Sequence, residues 1–239
     1  MAEDEIIKKH TQSVYNTWID PNKKWFHKLK DILQEILIIV FAVSVSIWFH
    51  NWSEERKDKK QEAEFFAGLK EDLKADIKEM ENDRTVLKKL IQNALYFQKV
   101  GAGMPLNTDS LQQYYWIFFT QVQINPRISR FEGLKGSGKL DIIEDKKKLY
   151  NVIDLYQKIF PNIFRINQLL NELAVNRIDP YIEDVIQFEP TGAFKNPEEL
   201  IRTPKMRLLM VQLAGLADNC IKSYTNGIDK SNEILKQLE

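Results

Sequence analysis

The most apolar stretch of the chain has no charged residue from Ile36 to Ser53, and its core reads ILIIVFAVSVSIWF. With Ile32 and Trp52 as its ends, the segment has about 21 residues, close to the length that a helix needs to cross a bilayer. The pattern therefore predicts a transmembrane helix over residues 32–53. The alternative is a buried core helix, because the central apolar run is only about 14 residues long.

Both ends of this segment carry aromatic and polar side chains of the kind that lie at a membrane surface. Three tryptophans are distributed between the two ends, and a histidine lies beside two of them. The membrane-interface candidates are Trp25, Phe26, Glu35, Trp48, His50 and Trp52.

Glu35 lies where the polar flank meets the apolar run. At the membrane surface its charge costs little, whereas inside the membrane it costs several kcal/mol and implies a partner or an ion path. Both placements are open from the sequence, and we favour the surface.

Residues 21–36 form an amphipathic pattern after Asp20-Pro21, which is typical of a helix cap followed by proline at the first helical position. The pattern fits a short helix in the headgroup region, and it fits equally the solvated first turns of the membrane helix. The apolar run begins more than thirty residues into the chain, and no small-residue cleavage site follows Phe49, so we expect a retained anchor and no cleavable signal peptide.

Beyond the apolar run, apolar residues recur every three or four positions from Trp52 to about Val100, which predicts a long amphipathic helix. The charged residues on its other faces are interpreted as a solvated surface. The cluster Gly101-Ala102-Gly103-Met104-Pro105 predicts the end of this helix.

The rest of the chain alternates between helical patterns and breaker residues. In order, we expect a short aromatic-rich helix or buried strand at 110–123, a turn-rich stretch at 125–138, a helix at 144–186 with a kink or break at Pro161, a loop at 188–204, and a helix at 205–238 that Asn226-Gly227 interrupts.

Helices with a single apolar face must bury those faces against each other. The predicted fold is therefore all-α, with one N-terminal transmembrane helix extended into an elongated antiparallel helical bundle. The predicted regions are a cytoplasmic tail with an amphipathic helix (1–31), a transmembrane helix (32–53) and an extramembrane bundle (54–239).

The composition excludes several classes of protein. The 34 Lys and Arg balance the 34 Asp and Glu among 239 residues, whereas a nucleic-acid-binding domain normally has a basic excess. A single cysteine, Cys220, excludes an intramolecular disulfide framework and a cysteine-built zinc site. It falls on an apolar helical face, where we expect a small buried side chain.

The segment Gly133-Leu134-Lys135-Gly136-Ser137-Gly138-Lys139 has the glycine spacing of a phosphate-binding loop. Leu140 stands where a magnesium-binding hydroxyl should be, and the preceding residues 127–132 do not form an apolar strand. We therefore expect an inter-helix turn in which glycine supplies a positive φ, and no bound nucleotide.

No other residues suggest catalytic or cofactor chemistry. His10, His27 and His50 are not spaced as metal ligands, and no nucleophile has an adjacent base in the sequence. The expectation is a protein that is not an enzyme and has no metal or cofactor.

The run EILIIVFAVSVSIWFHNWSEERKDKKQE, at 35–62, resembles a family of uncharacterised single-span membrane proteins of Bacteroidota. These proteins have a Glu, an aliphatic span and an Asn-Trp-Asn-Glu-Glu-Arg-Lys-like run. The positions that match the run are Asn51, Trp52, Glu54, Glu55, Arg56 and Lys57, while Ser53 departs from it. A second similarity is FEGLKGSGKLDIIED, at 131–145, where Gly136 replaces a Ser of the family's turn. The resemblance implies a bacterial membrane context and supplies no activity.

The basic residues flanking the span are equal in number on its two sides, but residues 6–30 contain six Lys against the single acid Asp20. This excess favours a cytoplasmic N-terminus and a periplasmic bundle in the bacterial inner membrane.

The sequence thus favours a structural or accessory protein of the envelope that associates with itself or with a membrane-protein partner. The alternatives are a ligand-sensing domain that signals through a partner and a subunit of an ion-driven membrane complex that uses Glu35.

Overall fold

The computed structural model describes residues 8–9, 11–12, 15, 25–107, 121–185, 195 and 197–239, and these residues are all-α. The chain divides into two compact units, Met1–Glu62 and Ala63–Glu239. The all-α fold predicted from the sequence is therefore confirmed.

Helix α1 runs from Trp25 to Gly101 and includes the long amphipathic helix expected from the sequence. It ends as predicted, because Gly103 has a φ of +116°, a backbone conformation that residues other than glycine rarely adopt. The amide of Met104 then donates to the carbonyl of Lys99, which satisfies one of the last carbonyls of the helix.

Within the second unit, α1 contributes one fully buried apolar face. Leu69, Leu73, Met80 and Leu87 recur at steps of four or seven and are all 0% exposed. This regular burial is what the three-and-four spacing predicts, and it places α1 in the core of the unit.

A short helix, α2 (Ser129–Gly136), occupies the stretch that we expected to be turn-rich, so that expectation is wrong over these residues. Phe131 anchors α2, since it is 0% exposed and its ring stacks on Tyr156 with 4.8 Å between ring centroids. A single deeply buried aromatic residue thus holds a segment whose glycines would otherwise disfavour a helix. A 3₁₀ turn follows at Leu140–Ile142.

A segmented helix then runs through α3 (Lys146–Asp154), α4 (Phe160–Leu173) and α5 (Asp179–Val185). Two π-helical segments, Leu155–Ile159 and Ala174–Ile178, join its parts. The segmented helix begins at an N-cap, because the Asp145 carboxylate accepts from the amides of Lys147 and Lys148.

The interruption predicted at Pro161 takes the form of the first π-helical segment, which ends just before α4. Proline near the start of α4 lacks the N–H that a continuous α-helix would require there, and the wider π turn accommodates this. The second π-helical segment contains no proline, and the sequence pattern did not indicate it.

Two helices complete the chain, α6 (Pro197–Arg202) and α7 (Pro204–Gln237). Thr203 caps α7, because its hydroxyl oxygen accepts from the amide of Met206. The loop expected at 188–204 is therefore wrong over α6, where Leu200 and Ile201 are buried. The rest of that loop, at 188–194 and 196, lies outside the described residues.

The interruption expected at Asn226-Gly227 is wrong, since α7 continues through both residues. Gly227 is buried against two neighbouring helices, and a Cβ there would lie 2.8 Å from Cδ1 of Ile163 and 3.0 Å from Sδ of Met80. The glycine therefore permits close packing of three helices, and it does not bend α7.

Side-chain contacts define the directions of the long helices in the second unit. Tyr224 of α7 bonds to Asp83 of α1, while Arg207 near the start of α7 lies against Gly101 at the end of α1. These pairs make α7 antiparallel to α1.

The segmented helix is antiparallel to α7 as well. Asn151 bonds to Glu233 near the end of α7, and Arg177 bonds to Gln212 near its beginning. The antiparallel bundle expected from the sequence is thus observed within Ala63–Glu239.

Two expectations fall largely on residues that the structure does not describe. The aromatic-rich segment predicted at 110–123 lies outside the described residues except for 121–123, which are not helical. The cap predicted at Asp20-Pro21 also lies outside them.

Candidate functional site

The first unit contains the apolar window of α1. One helical window of 18 residues in Ile32–Gly101 has a mean hydropathy of 2.3, and none of it is buried. By length and composition this helix is suited to crossing a membrane. Within the described part of the chain, no other segment covers this window.

The apolar surface exposed by this window is large. Thirteen large apolar side chains between Leu29 and Trp52 are exposed. Burial of one such side chain is worth about 1.5–3 kcal/mol, so leaving all of them in water costs on the order of tens of kcal/mol. These side chains therefore form a large apolar surface, which transfer to an apolar environment would stabilise.

The C-terminal end of the window carries a row of aromatic and basic side chains on one helical face. The rings of Trp48 and Trp52 stack with their centroids 6.5 Å apart, and the guanidinium of Arg56 lies 4.2 Å from the Trp52 centroid. His50 forms a 3.9 Å contact with the carboxylate of Glu54. A ring followed by a cation matches the order from apolar core to headgroup in a bilayer.

The interface candidates of the N-terminal end lie at the beginning of α1. Trp25 is its first residue and Phe26 its second. Glu35 follows within the same helix and is partly exposed. The structure thus places all six interface candidates on α1, with Trp25, Phe26 and Glu35 before the apolar run and Trp48, His50 and Trp52 at its C-terminal end.

In the second unit, a row of carboxylates on α1 holds the segment 121–136. Asp76 is 0% exposed and accepts a 2.6 Å hydrogen bond from Nη1 of Arg127 and 3.3 Å bonds from the Arg127 amide. Glu79 accepts from the amide of Asn125, at 3.0 Å. These bonds replace the water that the carboxylates lose on folding.

One turn earlier on α1, Asp72 accepts a 2.9 Å bond from Nε of Arg130. Gly68 makes room for this arginine, because a Cβ there would lie 2.0 Å from Cζ of Arg130. The guanidinium thus lies directly across the backbone of α1.

Burial governs the ionisation of these groups. Desolvation raises the pKa of Asp76 above its usual value, and the hydrogen bonds and charge of Arg127 oppose the rise. Desolvation also raises the pKa of Tyr156, with the charges of Asp76 and Asp72 adding to the effect. Asp76 is therefore a buried carboxylate whose charge is balanced by one partly exposed arginine.

A second polar network crosses the core. The hydroxyl of Tyr224 donates to Asp83 at 3.1 Å and accepts a 2.6 Å bond from Nδ2 of Asn167. It joins α1, α4 and α7, and its two hydrogen bonds favour one relative alignment of these helices. Desolvation raises the pKa of both Tyr224 and Asp83.

The interpretation of the α1 charges as a solvated surface missed both networks. Asp72, Asp76, Glu79 and Asp83 recur at steps of three or four, directly beside the buried apolar positions. The acidic residues at helical spacing beside the apolar face were a signal in the sequence that these carboxylates are partly buried. Their pairing could not be predicted from the local pattern, because the partner arginines lie some fifty residues away in sequence.

The glycine-rich segment is the end of a helix followed by a turn. Gly133 and Gly136 belong to α2, and Gly138 has a φ of +70° in the turn after it. The expected role of glycine in an inter-helix turn is confirmed at Gly138. Among the residues that the structure describes, no group of three His, Cys, Asp or Glu side chains is placed to hold a metal ion.

Cys220 is buried on the apolar face of α7, as expected, and desolvation raises the pKa of its thiol to about 12. Comparisons with protein-family models, with curated proteins and with solved structures returned no match.

Proposed function

We propose that this protein is a single-pass membrane protein of the bacterial envelope whose helical bundle acts as a structural or accessory element by associating with a second copy or a membrane-protein partner. The observation that carries the proposal is the fully unburied apolar window of α1. A bilayer removes its side chains from water without any further contact within the chain.

The orientation proposed from the lysine-rich residues 6–30 has a cytoplasmic N-terminus and a periplasmic bundle. The stacked Trp48 and Trp52 followed by Arg56 support a membrane surface at that end of the window. The resemblance of residues 35–62 to single-span proteins of Bacteroidota supports the bacterial setting.

An accessory role agrees with the polar chemistry of the bundle. The buried ionisable groups Asp76 and Asp83 are engaged by Arg127 and Tyr224, which are structural partners. Such groups hold helices together and do not present a reactive group to a substrate.

Two measurements test the proposal. Protease added to cells with a permeabilised outer membrane should digest the bundle and spare a fragment containing the window, whereas protection of the bundle contradicts the orientation. Crosslinking in native membranes followed by gentle detergent extraction should give a discrete complex larger than the 28.1 kDa chain. A lone 28.1 kDa monomer with no stoichiometric partner contradicts the association.

A further inference from the structure

A groove of about 750 Å³ lies between the segmented helix and α7 in the second unit. This volume is within the range of typical ligand sites. Leucine side chains line it together with side-chain amides, and it is bounded by Gly215 on α7 and by the second π-helical segment, Ala174–Ile178, on the opposite wall.

Packing does not explain why a glycine occupies position 215. It lies in the interior of α7, where glycine weakens a helix relative to alanine, and no atom lies within 4 Å of the position that a Cβ would take. Gly227 of the same helix is different, because a Cβ there would meet Ile163 and Met80. Gly215 keeps space open above the groove.

The opposite wall departs from regular helix at the same level. Asn176 and Arg177 belong to the π-helical segment and line the groove. Single π-helical turns are uncommon and frequently mark functional sites, because they turn side chains away from their α-helical directions. Nη1 of Arg177 donates to Oε1 of Gln212 across the groove, at 3.1 Å. A helix-weakening glycine on α7 and a π-helical segment on the opposite wall thus face each other across the groove.

We infer that this groove binds an extended, neutral peptide segment with aliphatic side chains. The inference rests on the proposed function in that the segment belongs to the partner of the bundle. The charges at the groove sum to zero, since Arg177 and Glu172 carry opposite charges and Asp218 pairs with Lys222 at 2.7 Å. A neutral occupant therefore complements the groove better than a charged one.

The polar groups of the groove fit an extended backbone. The side-chain amides of Asn176 and Asn219 line the groove and are exposed, and within the described part of the chain they have no protein hydrogen-bond partner. Each amide offers donors and an acceptor like those of a peptide group. An extended chain has free N–H and C=O groups to match them, whereas a helix has satisfied its own.

The apolar side chains of the groove select the residues of the peptide. Leu169, Leu173 and Leu216 line it, and Leu169 remains 41% exposed. Aliphatic side chains of a peptide would cover this surface, and the missing side chain of Gly215 lets a backbone approach α7 closely.

The test uses the full chain in lipid nanodiscs and the blocked peptide acetyl-Ala-Leu-Ala-Leu-Ala-amide as the probe. Methyl resonances of Leu169, Leu173 and Leu216 should shift on titration, and versions of the peptide with Lys or Glu in place of Leu should not shift them. No methyl response, or an equal response to all three peptides, would overturn the inference.

Substitutions locate the binding site. Gly215→Leu fills the groove from a position with open space, so it should not lower the melting temperature, and it should lower the affinity by about tenfold or more. Asn219→Leu removes one amide and should also weaken binding. The matched control is Asn232→Leu, a polar-to-leucine change at an exposed position of α7 away from the groove. Equal affinity for wild type and both groove variants would place the peptide elsewhere.

Failure of this inference is distinguishable from failure of the proposed function. If the protein forms a crosslinked membrane complex but its methyl resonances do not respond to the peptide, only the groove proposal is contradicted. If the protein binds the peptide but stays monomeric in its membrane, the proposed association is contradicted and the groove proposal stands.

Discussion

The ion pair between Asp76 and Arg127 gives the sharpest test of how the second unit is held together. Replacing Arg127 with Ala leaves a fully buried carboxylate without its cation. Loss of one partner from a buried pair costs about 3–5 kcal/mol, but 46% of the Arg127 side chain is exposed, so solvent screening reduces the value. We expect Arg127→Ala to lower the free energy of unfolding by about 2–3 kcal/mol.

Arg202 provides a matched control. Its Nη2 lies 2.6 Å from Oε1 of Glu198, the same distance as in the buried pair, and 40% of its side chain is exposed. The partner carboxylate is 51% exposed, whereas that of Asp76 is 0% exposed. Arg202→Ala should therefore cost only about 0.5 kcal/mol, as surface ion pairs one helical turn apart do.

The assay is urea unfolding of the full-length protein in detergent, followed by far-ultraviolet circular dichroism. Adding Asp76→Asn to Arg127→Ala should recover about 1 kcal/mol or more, because the uncompensated charge is removed. Equal losses for Arg127→Ala and Arg202→Ala, within about 0.5 kcal/mol, would refute the argument that burial of the carboxylate decides the energy.

Three further predictions concern single residues of the second unit. Gly215→Ala should raise the free energy of unfolding by about 0.5–1 kcal/mol, measured by urea unfolding, because α7 gains a better helix former with no steric conflict; a loss of stability would reveal an unrecognised contact. Burial raises the pKa of Asp76, so the native state binds more protons than the unfolded state. The free energy of unfolding of wild type should therefore rise relative to that of Asp76→Asn as the pH falls from about 7 toward 3.8, the pKa of the carboxyl in the unfolded chain. A fall in this relative stability would mean that Arg127 outweighs desolvation. Cys220, with a pKa of about 12 and no exposure, should resist maleimide at about pH 8 until urea is added, and rapid labelling of the folded protein would contradict its placement in the core.

Local patterns were sufficient to predict the long helices. The spacing of Leu69, Leu73 and Met80 predicts the buried face of α1, and the cluster around Gly103 predicts its end. Both signals act within a few residues of the feature that they determine, so they can be read from the sequence.

Features that depend on distant residues were missed. The helix α2 forms because Phe131 stacks on Tyr156, and α7 runs through Gly227 because Ile163 and Met80 pack against it. The carboxylate of Asp76 is buried because Arg127 reaches it from another element. None of these partners is close in sequence, so local propensity pointed to a turn, a break and a solvated surface.

The proposed membrane anchoring rests on the apolar window of α1, which is not buried within the described part of the chain. The direct measurement is flotation of the full-length protein in a density gradient after membranes have been washed at high pH, which releases peripheral proteins. We expect the protein to float with the lipid. Recovery of the protein in the soluble fraction at the bottom of the gradient would contradict it.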